Sequence, residues 1–337
     1  MAHSAVFARV ALFLLLSLTW SCNRQPAQAA AAAAPDLPAT ASVPASDSYR
    51  HDVVPIEMRN VHLHLEEGIV LDITRLRGEM ISRTKGRAPV FDDQRSYVLD
   101  IADARVRIGG SSLTTLMNRH TFGYDGAPIK DVTVSVTDDG RLALKGSMRK
   151  GVSVPFSSKA TAAATPDGRL QLHVESFKAL GVPAKGLLKI FGLELDDVVS
   201  LKNRRDVVIN DNDIVIAPSE ALPPPTIRGH LTRVAVVGDG LELSFANEGP
   251  APSKLVPPDP SAPNYVYFGG GDVRFGKLLM SRADLQLIDL DRRDPFDFFP
   301  AHYDAQLVAG YSKNTTKQGL KTYMPDHDDL ARRRRVR

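Results

Sequence analysis

Two stretches, Thr137-Asp-Asp-Gly-Arg-Leu-Ala-Leu-Lys-Gly-Ser147 and Thr165-Pro-Asp-Gly-Arg-Leu-Gln-Leu-His-Val-Glu175, carry the same Asp-Gly-Arg-Leu turn and then alternate apolar with other residues. Asp-Gly favours a tight hairpin because glycine takes positive φ without a steric penalty. A period of two sends every second side chain to the same side of a strand, so such segments make antiparallel sheet with one apolar face. The repeat is two corners of one meander and is too short to signal a solenoid.

The same alternation recurs along the chain. Val61, Leu63 and Leu65 are separated by His62 and His64, and after Glu66-Glu67-Gly68 come Ile69, Leu71 and Ile73. Ala102, Ala104, Val106 and Ile108 oppose Asp103, Arg105 and Arg107; Val132, Val134 and Val136 form a further run. Strands are also expected at Leu142 and Leu144, at Val152, Val154 and Phe156, at Ala160, Ala162 and Ala164, and at Leu170, Leu172 and Val174. Later runs flank Asn210-Asp-Asn-Asp213 and Gly238-Asp-Gly240. The period changes twice. Ser111-Ser112 ahead of Leu113, Leu116, Met117 and His120 predicts a short serine-capped helix, and Pro183 opens a second one. That second helix, with Leu187, Leu188, Ile190, Phe191, Leu195, Val198 and Val199, is apolar over a wide arc, so it packs on the sheet or lines something apolar. The expected class is α+β: a large curved antiparallel sheet wrapping one or two helices, with a smaller β-rich C-terminal extension.

A chain of 337 residues with 43% hydrophobic content is long enough for a substantial core. Its net charge of +3, with no basic helix or aromatic-basic motif, gives no footprint for nucleic acid. Arg9 precedes an apolar run, 10–18, that has the length of a signal-peptide core and is short for a membrane span. Export to the periplasm or outer envelope is expected. Cys22, the single cysteine, cannot form an intramolecular disulfide. The segment Leu18-Thr-Trp-Ser-Cys22 resembles a bacterial lipobox, in which signal cleavage leaves an acylated cysteine as the new N-terminus. Ser21 suits that pattern, Trp20 and Thr19 depart from it, and Asn23 resembles outer-membrane sorting; cleavage near Gln28-Ala29-Ala30 would instead discard Cys22. The organisation is then a leader (1–22), an Ala/Pro-rich tether (23–52), a main α+β domain (53–246), a Pro-rich linker (247–264), a β-rich extension (265–325) and a basic tail (326–337). The tail holds Arg332-Arg-Arg-Arg335, which can meet anionic head groups or stay solvated.

Chemistry-bearing motifs are sparse. Gly269-Gly-Gly271-Asp272 lacks the spacing of a phosphate-binding loop and reads as a turn. Asn210 to Asp213 lacks the glycine and terminal glutamate of a calcium loop. His62 and His64 share one strand face without a second ligand pair, which fits a solvated surface. Asp284, Asp289, Asp291, Asp294, Asp297, His302 and Asp304 are the one group able to do acid-base or metal chemistry, though no activated nucleophile accompanies them. No cofactor and no metal site is expected.

From Ser111 to Phe245 a further pattern emerges. It runs from Ser-Ser-Leu-Thr-Thr-Leu-Met through Val132-Thr-Val-Ser-Val, Asp139-Gly-Arg-Leu-Ala-Leu-Lys-Gly and Val152-Ser-Val-Pro-Phe to Gly168-Arg-Leu-Gln-Leu-His-Val. Ala179-Leu-Gly-Val-Pro, the Leu187-Leu188 helix and Gly238-Asp-Gly-Leu-Glu-Leu follow. This order resembles the LmeA family of bacterial envelope lipid-binding proteins, with a fold similar to tubular lipid-binding (TULIP) domains. The resemblance implies a curved sheet around a helix and an apolar groove for acyl chains, with no catalysis. Leu142, Leu144, Val152, Val154, Phe156, Leu170, Leu172, Leu187, Leu188 and Phe191 are the candidate groove, and Cys22 the candidate lipidation site. The expected partners are a membrane lipid and, through acylated Cys22, a membrane surface. A scaffolding envelope lipoprotein with a closed core is the first alternative, and a hydrolase or metal enzyme using the C-terminal Asp/His segment the second.

Overall fold

The computed structural model describes residues 49–127, 129–150, 152–179, 207–210, 212–246, 255–315 and 319–330. The leader and tether, the helix expected to carry Leu187, Leu188 and Phe191, most of the Pro-rich linker and the four terminal arginines lie outside the described residues.

The folded part opens with a three-strand antiparallel meander: β1 (Val53–Glu66), β2 (Ile69–Ser82) and β3 (Tyr97–Gly109). Buried side chains alternate along all three. In β1 both Val54, Ile56, Met58 and Val61, Leu63, Leu65 are buried, although the two series are out of phase in sequence. Asn60, at φ 47°, marks the change of phase, and β2 changes phase opposite it between Ile73 and Leu76; asparagine tolerates this left-handed region better than most side chains.

After β3 the chain forms α1 (Gly110–Leu116), which runs into a π-helical turn at Met117–Thr121. The serine cap expected there is absent: Gly109 precedes the helix without a side-chain cap. Ser112 Oγ instead accepts the Val70 N–H at 3.0 Å, tying the helix to β2. On its other side the helix presents Thr114 and Asn118 to a strand edge. Asn118 donates to Val132 O at 2.7 Å and accepts from Val132 N at 2.9 Å, while Thr114 Oγ1 accepts from Val134 N at 2.9 Å.

That edge belongs to a second, six-stranded sheet: β4 (Ile129–Val136), β5 (Leu142–Lys150), β6 (Val152–Ala164), β7 (Leu170–Ala179), β8 (Val207–Asn210) and β9 (Asp213–Ile216). It is antiparallel, in the order β4-β5-β6-β7-β9-β8. The repeated turns join β4 to β5 and β6 to β7, and they are built alike. Gly140 and Gly168 have φ of 71° and 79°. Thr137 N–H donates to Arg141 O and Gly140 N–H to Thr137 O, each at 2.9 Å, and Thr165, Arg169 and Gly168 reproduce both bonds at 2.9 Å. The threonine hydroxyl bonds the aspartate side chain in both.

A short helix α2 (Pro218–Ala221) leads back through β10 (Thr226–Arg228), β11 (Leu231–Val237) and β12 (Gly240–Ala246) to the first sheet. The C-terminal part supplies β13 (Tyr265–Gly269), the hairpin β14 (Asp272–Phe275) and β15 (Leu278–Ser281), and then β16 (Asp284–Asp289) and β17 (Phe296–Phe298). A 3-10 turn (Pro300–His302), α3 (Tyr303–Ala309), β18 (Tyr311–Asn314) and β19 (Leu320–Met324) follow. The first sheet thereby grows to eleven strands, ordered β11-β12-β3-β2-β1-β13-β16-β19-β18, with β10 beside β3 and β17 beside β1. It is a mixed sheet: β10–β3, β17–β1 and β16–β19 pair in parallel, the other pairs antiparallel. The sheet-dominated α+β class is therefore observed, and the extension continues the sheet that contains β1. Phe91, Phe268, Phe275 and Phe298, with ring centroids 5.0 to 5.8 Å from that of Phe91 or of each other, seal this junction.

Candidate functional site

The inner face of the six-stranded sheet is largely apolar from β5 to β9, with buried Ser158 in the row between Leu144 and Phe177. Cross-strand rows run Leu142–Ala160–Val174, Ala162–Leu172–Ile214 and Ala164–Leu170–Ile216. Toward β4 and β5 this face is core: Leu142, Met148, Phe156, Ala160 and Phe177 are buried, and Phe156 stacks on Phe177 at 5.4 Å. Leu144, Val154, Ala162, Ala164, Leu170, Leu172, Val174, Ile214 and Ile216 are only half-buried. Strand β11 lies against β6, the strand that carries the small side chains of Ala160, Ala162 and Ala164. Of the candidate groove residues, then, Leu142 and Phe156 are core, while Leu144, Val154, Leu170 and Leu172 sit on the partly open face. Val152 lies in β6, its side chain outside the description, as are Leu187, Leu188 and Phe191 entirely.

Among the described residues an open cavity of about 560 Å³ lies between α1 and β4, lined by Thr114, Asn118, Phe122, Gly123, Lys130, Asp131, Val132 and Thr133. Its lining mixes polar and apolar surface and includes none of the candidate groove residues. A smaller one of about 180 Å³ is lined by Pro55, Ile56, Arg77, Gly78, Glu79, Leu255 and Gly269.

The second constellation is polar and sits where β16 and β19 end and β17 begins. Asp289, at the end of β16, is buried; its Oδ1 accepts the Asp291 N–H at 2.8 Å and its Oδ2 accepts from Asn264 Nδ2 at 3.2 Å. Asp326, just past β19, is also buried, and its Oδ1 accepts the Asp297 N–H at 2.8 Å. One carboxylate oxygen from each of Asp289, Asp294 and Asp326 lies within 4.8 Å of the others. Burial, together with the neighbouring Asp326 charge, pushes the Asp289 carboxyl up to about 7. Burial also raises Asp326, to about 6, with Asp294 and Asp297 adding repulsion.

Asp297 in β17 is the bridge to a histidine cluster. Its Oδ1 lies 2.5 Å from His64 Nε2, with both side chains 14% exposed, and its Oδ2 accepts the Asp328 N–H at 2.9 Å. Burial works against the charged form, but the hydrogen bond and charge of His64 prevail and hold Asp297 below the usual carboxylate range. His64 stacks on Phe299 at 5.0 Å, and the His327 ring lies 5.6 Å from His64 and 5.1 Å from His302. His327 is held below the ordinary histidine range by burial and by the charges of His64 and His302, and its buried Nδ1 has no hydrogen-bond partner among the described residues.

Of the acidic residues singled out in the sequence, the fold thus converges Asp289 and Asp294, joins Asp297 to His64, and places His302 beside the ring cluster. Asp291 pairs with Arg293, Asp284 accepts from the Tyr267 hydroxyl at the far end of β16, and Asp304 bonds the Ala305 N–H on α3. His62 faces the surface near Asp72, whereas His64, expected on a solvated face, is largely covered. Asp326 and His327 were not singled out; no short-range spacing links them to Asp289 or to His64. Comparison of the chain with protein-family profiles, with curated proteins and with solved structures finds no match.

Proposed function

We propose that this is an exported envelope protein of TULIP-like, LmeA-related fold that binds or shuttles a membrane lipid without catalysing a reaction. The observation that carries the reading is the largely apolar face of the six-stranded sheet, core around Phe156 and Phe177 and half-buried at Leu170, Leu172, Val174, Ile214 and Ile216. Acyl chains require apolar area and little directional chemistry, so a binding face for them consists of such side chains and leaves no motif. Leu144, Val154, Leu170 and Leu172 are its described contacts; Val152, Leu187, Leu188 and Phe191 complete the groove that the sequence suggests, and Cys22 supplies the membrane anchor. Irradiating the full chain with a phospholipid that carries a photoreactive acyl chain tests this reading. Adducts concentrated on 144–216 support it; adducts scattered over the surface, or none, shift the reading to a scaffold with a closed core.

A second reading, a metal-dependent hydrolase, is favoured by the convergence of Asp289, Asp294 and Asp326. Three carboxylate oxygens this close suit a hard divalent cation. Binding would relieve their mutual repulsion, so millimolar calcium or magnesium should raise the melting temperature at pH 8, and Asp326→Asn should abolish that rise. An unchanged melting temperature removes this reading.

A further inference from the structure

The hairpin β14–β15 is built differently on its two strands. On β14, Val273 and Phe275 are buried, and Phe275 packs on Phe91, Phe268 and Tyr303. On β15, directly after the Gly276-Lys277 turn, Leu278 and Leu279 are 59% and 48% exposed. Two adjacent leucines at a hairpin tip have no role in the core, and water is a poor environment for them. The helix that begins against this hairpin through Tyr303 also exposes Leu307 and Val308, the latter to 86%.

The hairpin's own charges from 274 to 282 are all basic, and they outnumber Asp92, whose Oδ1 accepts the Gly276 N–H at the turn at 2.7 Å. Arg274, cross-strand partner of Leu279, is exposed, as are Lys277 and Arg282, and no acidic residue lies between 274 and 282. The base of the hairpin is also where the described chain begins. Tyr49 OH accepts the Arg282 N–H at 2.8 Å and donates to Asp272, the Arg282 guanidinium lies 5.4 Å from the Tyr49 ring centre, and His51 Nδ1 lies 2.7 Å from Asp272 Oδ2. Any lipid anchor upstream of Tyr49 therefore joins the fold at this hairpin.

We propose that the β14–β15 hairpin is a membrane-surface contact, in which Leu278 and Leu279 enter the acyl boundary of an anionic bilayer while Arg274, Lys277 and Arg282 meet lipid phosphates. This rests on the envelope-lipid reading above and adds where and how the protein meets its membrane. Amphipathic apolar-basic surfaces bind anionic interfaces in this way, and a second, covalent anchor makes such a weak contact effective by raising its local concentration.

The test uses the full-length chain with Cys22→Ala, which frees the sequence of cysteine, and adds one cysteine at a time as Leu279→Cys, Val308→Cys or Tyr124→Cys for labelling with a polarity-sensitive fluorophore. Vesicles of phosphatidylethanolamine with phosphatidylglycerol are compared with vesicles of phosphatidylcholine. The leader can itself carry the chain to vesicles, so the readout is the contrast between labels. The expected result is a blue shift and shielding from iodide at 279 on anionic vesicles, none at 124, and a loss of affinity of about fivefold for each of Arg274→Gln and Lys277→Gln. A label at 279 as accessible as that at 124, or no binding to anionic vesicles, overturns the proposal. A shift at 279 that appears without vesicles and grows with protein concentration also overturns it, in favour of a second copy of the chain on this face. Lipid occupancy, read by mass in the same sample before vesicles are added, separates this outcome from failure of the groove reading.

Discussion

Asp289 is raised from 3.8 to about 7, and the sign of that shift sets a stability profile. A carboxyl whose folded pKa lies above its unfolded value binds its proton more tightly in the fold. Its contribution is therefore fully present below about pH 4 and is lost as pH rises toward 7. Three units at about 1.4 kcal/mol each give roughly 4 kcal/mol across that window. Asp326, raised to about 6, shares the same repulsion, so the two contributions overlap instead of adding. Asp289→Asn removes the titration. It keeps an acceptor for the Asp291 N–H but turns a donor toward Asn264, at a cost of about 1 to 3 kcal/mol. The variant should be less stable than the native protein by about that amount at pH 4 and more stable by about 1 to 3 kcal/mol at pH 8, so their stability curves cross. His327, lowered in the fold, contributes stability that is lost as pH falls below its ordinary value of 6.5 and opposes the trend in the native curve, which is why the difference between the two proteins is the quantity to follow. Urea unfolding midpoints at half-unit steps from pH 4 to 8 measure it. Parallel curves, or a variant that is worse at every pH, would refute the reasoning.

The two Asp-Gly turns offer an internal comparison. At Gly140 an added Cβ meets open space, so Gly140→Ala should cost only the strain of positive φ, about 1 kcal/mol; at Gly168 the same Cβ falls 2.5 Å from His230 Nδ1, and thermal unfolding should show a distinctly larger loss. Phe156→Ala, at a buried position stacked on Phe177, should cost about 3 to 5 kcal/mol by urea unfolding and should not be read as a lipid-binding defect. Leu172→Glu, on the half-buried part of the same face, should leave a cooperative unfolding transition while abolishing lipid uptake in the crosslinking assay; full lipid uptake would remove Leu172 from the groove.

The strands were legible because their signal is local. Alternation at Val61, Leu63 and Leu65, at Val106 and Ile108, and at Leu170 and Leu172 is written within a few residues, and the Asp-Gly pairs mark the corners between them. Pairing across long separations left no such trace. Nothing near Tyr265 says that it will face Arg59, so the pattern leaves open whether the extension is a separate unit or an added layer on the first domain; in the structure it continues the β1 sheet. The polar cluster was half visible for the same reason. Asp289 and Asp294 are neighbours in sequence, whereas Asp326 arrives through the parallel β16–β19 pairing and His64 through β1–β17. The alternation rule placed His64 correctly on the polar side of its strand but could not show that Asp297 and Phe299 would cover that side. The serine cap failed differently: Ser112 has the right chemistry, but a tertiary donor, Val70 N–H, claims its hydroxyl.

The central claim is lipid binding on the six-stranded sheet, and native mass spectrometry of the full chain purified gently from a bacterial host tests it most directly. The account predicts a protein carrying one lipid in stoichiometric amount, identified after organic extraction, with the added mass missing from Leu172→Glu. A chain that stays bare, even after incubation with envelope lipid extract, contradicts it.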